Sequence, residues 1–385
     1  MVLPDRVVPH GSLRIEDGHI AEIIEDREDA MPPVVTLLPG LVDLHGDMLE
    51  REIEPRPKAM LPIDLALFEL DKRLVATGVT TAFAAVTFHR FGNGEIRSEE
   101  RARQISATIQ TLRGALLTDF RIHARFEVTN PEAAPILASL IEAGWVDLVS
   151  LNDHTPGQGQ YRDIEHYIET MIEWRKIRKG LPETEEELRA RIEQQVAQPK
   201  SWDVVTNLAQ LARDRHIPLA SHDDDSCEKV EFVAGLGATI SEFPVSIDAA
   251  RAARAKGMRT IMGAPNALLG RSHSNNLSAL DGIRAGLVDI LAADYHPASM
   301  LQSACAIAAH GLVPLHEAVR MVSLNPAEAA GLVDRGSLEI GKRADVVIVQ
   351  MAERPRVRGT LRRGRLVYWD GSVAMNTTTR QAVFQ

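Results

Sequence analysis

A chain of 385 residues with 45% hydrophobic content can bury a core large enough for one barrel-sized domain and a smaller companion. The formal net charge of −10 leaves no basic surplus to neutralise phosphates, and 4% aromatic content offers few platforms for stacking bases, so no nucleic-acid partner is expected. Cys227 and Cys305 stand outside any CxxC pair, which argues against a disulfide framework or a cysteine zinc knuckle.

The first residues lack the charged head and apolar core of a signal peptide, and no apolar run is long enough to span a bilayer. A cytoplasmic protein without a membrane partner is therefore expected. Residues 1–38 are rich in β-formers punctuated by Gly, and so are residues 336–385. Both ends are expected to pair into one small β-sandwich domain beside a barrel domain formed by 39–335.

Residues 37–47, LeuLeuProGlyLeuValAspLeuHisGlyAsp, read as an apolar strand ending in His45 and Asp47. Side chains at i and i+2 of a strand share a face, so this imidazole and carboxylate are expected to converge on one ion. The pair suits zinc, manganese or iron. Just beyond it, residues 51–58 place Arg51, Arg56 and Lys58 near the same strand end, where a polyanion could be neutralised.

Seven more β-rich segments follow, at 78–88, 121–128, 146–154, 217–225, 238–243, 258–266 and 288–296, separated by amphipathic stretches such as 204–213. Eight such repeats predict right-handed crossovers, a parallel sheet and closure into an α/β (β/α)8 TIM-like barrel, whose C-terminal strand ends carry the active site. A doubly wound open sheet would show similar periodicity. Residues 163–197 are expected as a helical insertion between the fourth and fifth strands, a lid or a subunit contact.

Polar side chains close most of these strands. Glu127 ends the third and could supply an oxygen ligand; His123 shares its face if that strand is regular. Asp153 and His154 end the fourth, and Glu242 the sixth, all further candidate metal ligands subject to strand register. His222 ends the fifth as a candidate ligand, followed by Asp223, Asp224 and Asp225, of which at least one is expected to be ordinary solvated charge. Asp294 ends the eighth, where a carboxylate can touch a metal and accept a proton from the attacking water; the competing role is a helix N-cap before ProAlaSer. Residues 263–275 read as a βα loop whose amides, with Arg271, Ser272 and His273, could cradle an oxyanion. The loop has no Walker lysine, and the chain has no GxSxG, HExxH or GxGxxG motif.

The stretch 39–47, with SerLeuAsnProAlaGluAlaAlaGlyLeu at 323–332 and GlySerLeuGluIleGlyLysArgAlaAspValValIleVal at 336–349, resembles the opening and closing motifs of the amidohydrolase superfamily. Further segments narrow the resemblance to the M proteins of phosphonate metabolism in the carbon–phosphorus lyase pathway. These are GluProArgProLys at 54–58, SerLeuAsnAspHisThrProGlyGlnGlyGln at 150–160, IleSerGluPheProValSer at 240–246, GlyArgSerHisSerAsnAsn at 270–276 and AlaAspTyrHisProAlaSer at 293–299. The resemblance implies a divalent metal (zinc first, manganese or iron otherwise, one ion or two, with magnesium accompanying the triphosphate). It implies hydrolysis of α-D-ribose 1-methylphosphonate 5-triphosphate to the 5-phosphate and pyrophosphate, so the partner is a phosphorylated sugar phosphonate. Self-association into a homo-oligomer stays open. The chain departs from the superfamily's His-x-His at Asp47, lacks its fourth-strand bridging lysine, for which Glu127 is the preferred substitute, and replaces its sixth-strand histidine around Glu242. A cyclic amidase or deaminase, or a non-catalytic pathway scaffold, are the alternatives.

Overall fold

A computed structural model of the protein describes residues 1–25, 35–56, 59–88, 97–177, 184–272 and 276–372. Near the N-terminus β1 (Gly11–Glu16) and β2 (His19–Glu25) form an antiparallel hairpin. Its turn is Asp17–Gly18, both at positive φ, the backbone hand that matches strand twist in a tight hairpin. After β3 (Thr36–Pro39) come eight strands, paired in chain order in one parallel sheet. They are β4 (Leu41–Gly46), β5 (Val79–Phe88), β6 (Asp119–Glu127), β7 (Leu148–Asn152), β8 (Leu219–His222), β9 (Ile240–Glu242), β10 (Arg259–Gly263) and β11 (Ile290–Ala292). Gly46 and Asp294 bridge in parallel across the remaining seam, where Asp294 donates its N–H to His45 O at 2.8 Å and Asp47 to Asp294 O at 3.0 Å. Those bonds close the barrel.

Strands buried on both faces should be apolar without alternation, and β5 is buried at all ten positions. The outward side chains Ile122, Ala124, Phe126, Val149, Leu151 and Leu291 pack into the shell of helices. The inward ones Val42, Leu44, Phe83, Leu148, Ala220, Ile240, Ile261 and Ile290 form a separate apolar floor. Two residues beyond Ala220, Ile240 and Ile261 the same inward face reads His222, Glu242 and Gly263; Asn152, four beyond Leu148, and Glu127 beside it on β6 complete the layer. The period of two that builds the floor thus builds a polar layer above it.

β12 (Val346–Gln350), β13 (Arg356–Arg362) and β14 (Arg365–Trp369) form an antiparallel sheet that takes β3 at its edge, in the order β14-β13-β12-β3. It shares an apolar cluster with the β1–β2 hairpin, including Met1, Val8, Ile20, Leu338, Ala344 and Val346. The two chain ends therefore make a small sandwich; residues 373–385 of the C-terminal segment lie outside the described residues. The insertion consists of the helices Ile164–Ile177 and Glu185–Val196, the second begun by a capping box of Thr184 and Glu187 and packed through Leu188 and Ile192 on Ile168.

The barrel floor is tied to the sandwich by charge. Asp119, at the start of β6, lies 2.5 Å from Arg335 and 3.6 Å from Arg343, and both guanidiniums are almost fully buried. Burial pushes the Asp119 carboxyl up, but Arg121, Arg335 and Arg343 outweigh it and hold it at about 2. A carboxyl depressed in the folded state stabilises above its unfolded value near 4 and loses that contribution as pH falls towards 2. The Asp119→Asn substitution is expected to cost about 1.5–3 kcal/mol at neutral pH, because Arg335 and Arg343 lose this carboxylate but keep Asp334 and Asp345. Thermal or urea unfolding checks this, and a loss under about 1 kcal/mol would remove the ion-pair account.

Candidate metal centre

Strand register brings the polar layer together. Glu127 lies beside Asn152 across β6 and β7, and His222 beside Glu242 across β8 and β9. His45 joins them by a different route, because the β4–β5 pairing shifts register between Asp43 and Gly46. Its Nδ1 lies 3.2 Å from Glu242 Oε1, and its ring is 5.0 Å from His123 and 5.4 Å from His222. His154 hydrogen-bonds Glu127 and stands with its ring 5.2 Å from His222. Phe243 covers His45 and His222 at 4.9 and 5.3 Å.

Among the described residues, two sets of donor atoms lie within 4.8 Å of one another: His45, His222 and Glu242, and His154, His222 and Asp223. His222 belongs to both. Its Nδ1 is 3.0 Å from Asp223 Oδ2, yet neither atom makes a hydrogen bond, and Glu242 Oε2 is also buried without one. Converging nitrogen and carboxylate lone pairs with no hydrogen between them are the arrangement a divalent cation satisfies. The residues therefore fit such a metal.

Electrostatics favour ligand-ready histidines. Burial, then the charge of Arg125, keeps His45 and His222 well below the ordinary histidine pKa, and burial takes His123 to about 3. All three are neutral imidazoles near pH 7. Burial also raises the carboxyls of Glu242 and Asp294 to about 7, the latter helped by Asp47, and raises Asp223 and Asp47.

The backbone is bent to aim these groups. Asp223, Phe243 and Asp294 all adopt positive φ at or just past the ends of β8, β9 and β11. Left-handed backbone costs a residue with a side chain about 1–2 kcal/mol, and such strain gathers at functional sites. Lys229 fastens one of these corners by donating from Nζ to His222 O at 2.8 Å and Asp223 O at 3.1 Å. Gly263 serves another, since a Cβ there would stand 3.3 Å from Asp294 Oδ2.

The sequence-predicted residues separate into groups. His45, Glu127, His154, His222 and Glu242 come together. Asp47 and Asp294 sit side by side at the barrel seam but in neither donor set. Strand alternation is not what places Asp47: β4 ends at Gly46, and Asp47 precedes the helix Met48–Ile53. Asp294 is not a helix cap either, because Pro297 occupies that position before Ala298–Ala309. Asp153 is held by Lys200, 2.5 Å away. None of the three aspartates after His222 is plain solvated charge. Asp223 faces the histidines, Asp224 accepts from Ser221 and Ser241 at 2.6 and 2.5 Å, and Asp225 accepts from Gly159 N at 2.8 Å.

The oxyanion loop is also different from expectation, since Ala264–Leu269 is a short helix with Pro265 in its first turn. Arg56 and Arg271 are exposed, Ser272 is half-buried, and Lys58 and His273 lie outside the described residues.

Sequence reasoning missed Arg125 and Asp43. Arg125 is 8% exposed and reaches within 3.4 Å of His222 Nε2. The signal was present in β6, whose inward positions run Arg121, His123, Arg125, Glu127 while its other face is Ile122, Ala124 and Phe126. Asp43 accepts from Ala293 N at 2.9 Å and His45 N at 3.2 Å, stitching the seam beneath the site.

A family model described as the amidohydrolase family matches residues 72–367. The chain belongs to the amidohydrolase family. It is 37% identical over 358 residues, 90% of this chain and 93% of the relative, to an alpha-D-ribose 1-methylphosphonate 5-triphosphate diphosphatase of Escherichia coli (strain K12). Among solved structures, this amidohydrolase is similar to ochratoxinase from A. niger (TM-score 0.63, 13% identity, 96% of this chain and 94% of that one). It is also similar to molinate hydrolase (TM-score 0.62, 16% identity, 98% and 95%). At such identities these likenesses show the fold alone.

Proposed function

We propose that this amidohydrolase hydrolyses α-D-ribose 1-methylphosphonate 5-triphosphate to the 5-phosphate and pyrophosphate. The observation that carries the reading is the 37% identity across 90% of the chain to a diphosphatase of that name. The site supports it, because carboxylates and neutral imidazoles gather over a closed apolar floor.

His45, His222 and Glu242, with Glu127, His154, Asp47 and Asp294 around them, would hold a divalent metal, zinc before manganese or iron. Such an ion supplies Lewis acidity, making water more acidic and neutralising charge on a phosphoryl oxygen. Asp294, its carboxyl raised to about 7 by burial and by Asp47, accepts the proton of the attacking water. The water oxygen bonds to the α-phosphorus, the bond to the β-phosphate bridging oxygen breaks, and pyrophosphate departs. Arg125 stands as a fixed buried cation beside His222 and offsets charge at the reacting centre. Phe243 and the aliphatic floor limit water around it. Arg56, Arg271 and Ser272 follow the C-terminal ends of β4 and β10, where they, with Lys58 and His273 of the same two segments of the chain, would neutralise the triphosphate.

Incubating metal-loaded protein with the triphosphate and following phosphorus NMR tests the reading. Pyrophosphate and the 5-phosphate are expected together, and their loss on chelation ties the reaction to the metal. Stepwise orthophosphate release would show that a different bond is cut. No turnover by protein with metal bound would sink the reading.

A further inference from the structure

Among the described residues the buried arginines are Arg125, Arg335 and Arg343. Arg335 and Arg343 each meet a carboxylate, Asp119 at 2.5 Å and Asp345 at 2.9 Å. Arg125 is 8% exposed, yet it forms no ion pair among the described residues. Both of its polar contacts are uncharged. Nη2 lies 3.4 Å from His222 Nε2, and Nε lies 3.2 Å from the Asn152 amide, whose oxygen accepts when its nitrogen faces Ser150. Nη1 makes no hydrogen bond to any described residue.

A buried charge without a counterion is costly, and orienting His222 does not account for that cost. A contact of 3.4 Å is long for a hydrogen bond, and an uncharged donor would orient the ring more cheaply. Arg125 lies on the inward face of β6 between His123 and Glu127, opposite Ser150 of β7. It therefore stands inside the metal centre, in contact with the histidine common to both donor sets. A guanidinium so close to a ligand nitrogen repels a divalent cation, since burial removes the water that would screen it. The centre thus contains a group that weakens its hold on the metal it is built to bind.

We propose that Arg125 makes this centre selective for an anionic substrate over a neutral one, at some cost in metal affinity. The inference rests on the function proposed above and deepens it. A phosphoryl oxygen at the centre gives the guanidinium the anion it lacks and offsets its repulsion of the ion. A neutral amide or cyclic imide carries no charge that does either. The planar fork also presents Nη1 and Nη2 together, a geometry that phosphoryl oxygens match and a point charge does not.

Orthophosphate, the smallest phosphoryl anion, is the probe, titrated calorimetrically into zinc-loaded protein freed of unbound metal by gel filtration. Arg125→Met removes the charge and keeps an unbranched stem. Arg125→Gln keeps a hydrogen-bond donor and takes its place if thermal melting shows the methionine variant unfolded. In either variant orthophosphate affinity is expected to fall about tenfold or more, the worth of one charge-assisted contact. Zinc affinity without phosphate, measured by competition with a chelator, is expected to hold or rise, because a neighbouring cation is gone. An arginine that only props up the site would give the reverse, weaker zinc binding with orthophosphate affinity unchanged. Unchanged orthophosphate affinity, or zinc affinity that falls, overturns the proposal. Turnover separates it from the reading it rests on. Triphosphate cleavage and orthophosphate affinity both unchanged in the variant overturn the role of Arg125 and leave the diphosphatase standing. Arg125-dependent orthophosphate binding by a protein that never cleaves the triphosphate upholds the role and sinks the diphosphatase.

Discussion

Asp294→Asn is expected to lower kcat by about two to four orders of magnitude, the usual worth of a positioned general base. The amide keeps the size of the carboxylate, so the close approach over Gly263 and the left-handed backbone at this position both survive. What it loses is the ability to accept a proton. KM is expected to change little, since proton transfer belongs to the transition state rather than to substrate binding. The pH profile adds a second readout. Only the carboxylate form works, so the rate falls as pH drops through the pKa of this group. Burial and Asp47 place that value at about 7 in the metal-free protein, and a bound cation draws it lower. The acid limb should therefore lie at or below neutrality and vanish in the variant. Full turnover by Asp294→Asn would remove the assignment of the base.

His222→Ala carries the second large effect. His222 is the residue common to both donor sets, and its ring is a neutral imidazole near pH 7. Loss of a group that merely orients a ligand costs about 10–100-fold in metal affinity, so loss of this ligand should exceed 100-fold, with turnover falling alongside it. Metal content after gel filtration, measured against wild type loaded in the same way, decides the matter. A variant that keeps a full complement of metal would show that His45 and Glu242, or His154 and Asp223, hold the ion without it.

The two effects differ in kind. One variant binds metal and fails to move a proton; the other fails to bind. Measuring metal content in both prevents either loss of activity from being read as the other.

Much of the architecture was legible because it depends on neighbours in the chain. Most of the eight barrel strands are short apolar runs followed by polar residues, and a strand's period of two decides which residues share the inward face. Thus Ala220 and His222, or Ile240 and Glu242, belong together whatever the rest of the fold does. The Thr184–Glu187 capping box is equally local. Where local rules failed, the cause was a break in regularity. The register shift in β4 and the end of the strand at Gly46 make alternation a false guide to Asp47. The stretch after Gly263, rich in turn-forming residues, starts a helix because Pro265 suits a first turn.

The identity of the ligand-bearing strands and the family motifs were therefore set by the sequence itself, since hydropathy at every second residue and the residues at each strand end are local properties. Which of those side chains meet was decided only by the closed barrel. Residues 45, 127, 154, 222, 223 and 242 become neighbours through sheet order, register and the seam between β4 and β11, none of which has a local signal. The same holds for Asp153, taken up by Lys200, and for Arg125, whose charge counts only because burial removes the water that would screen it.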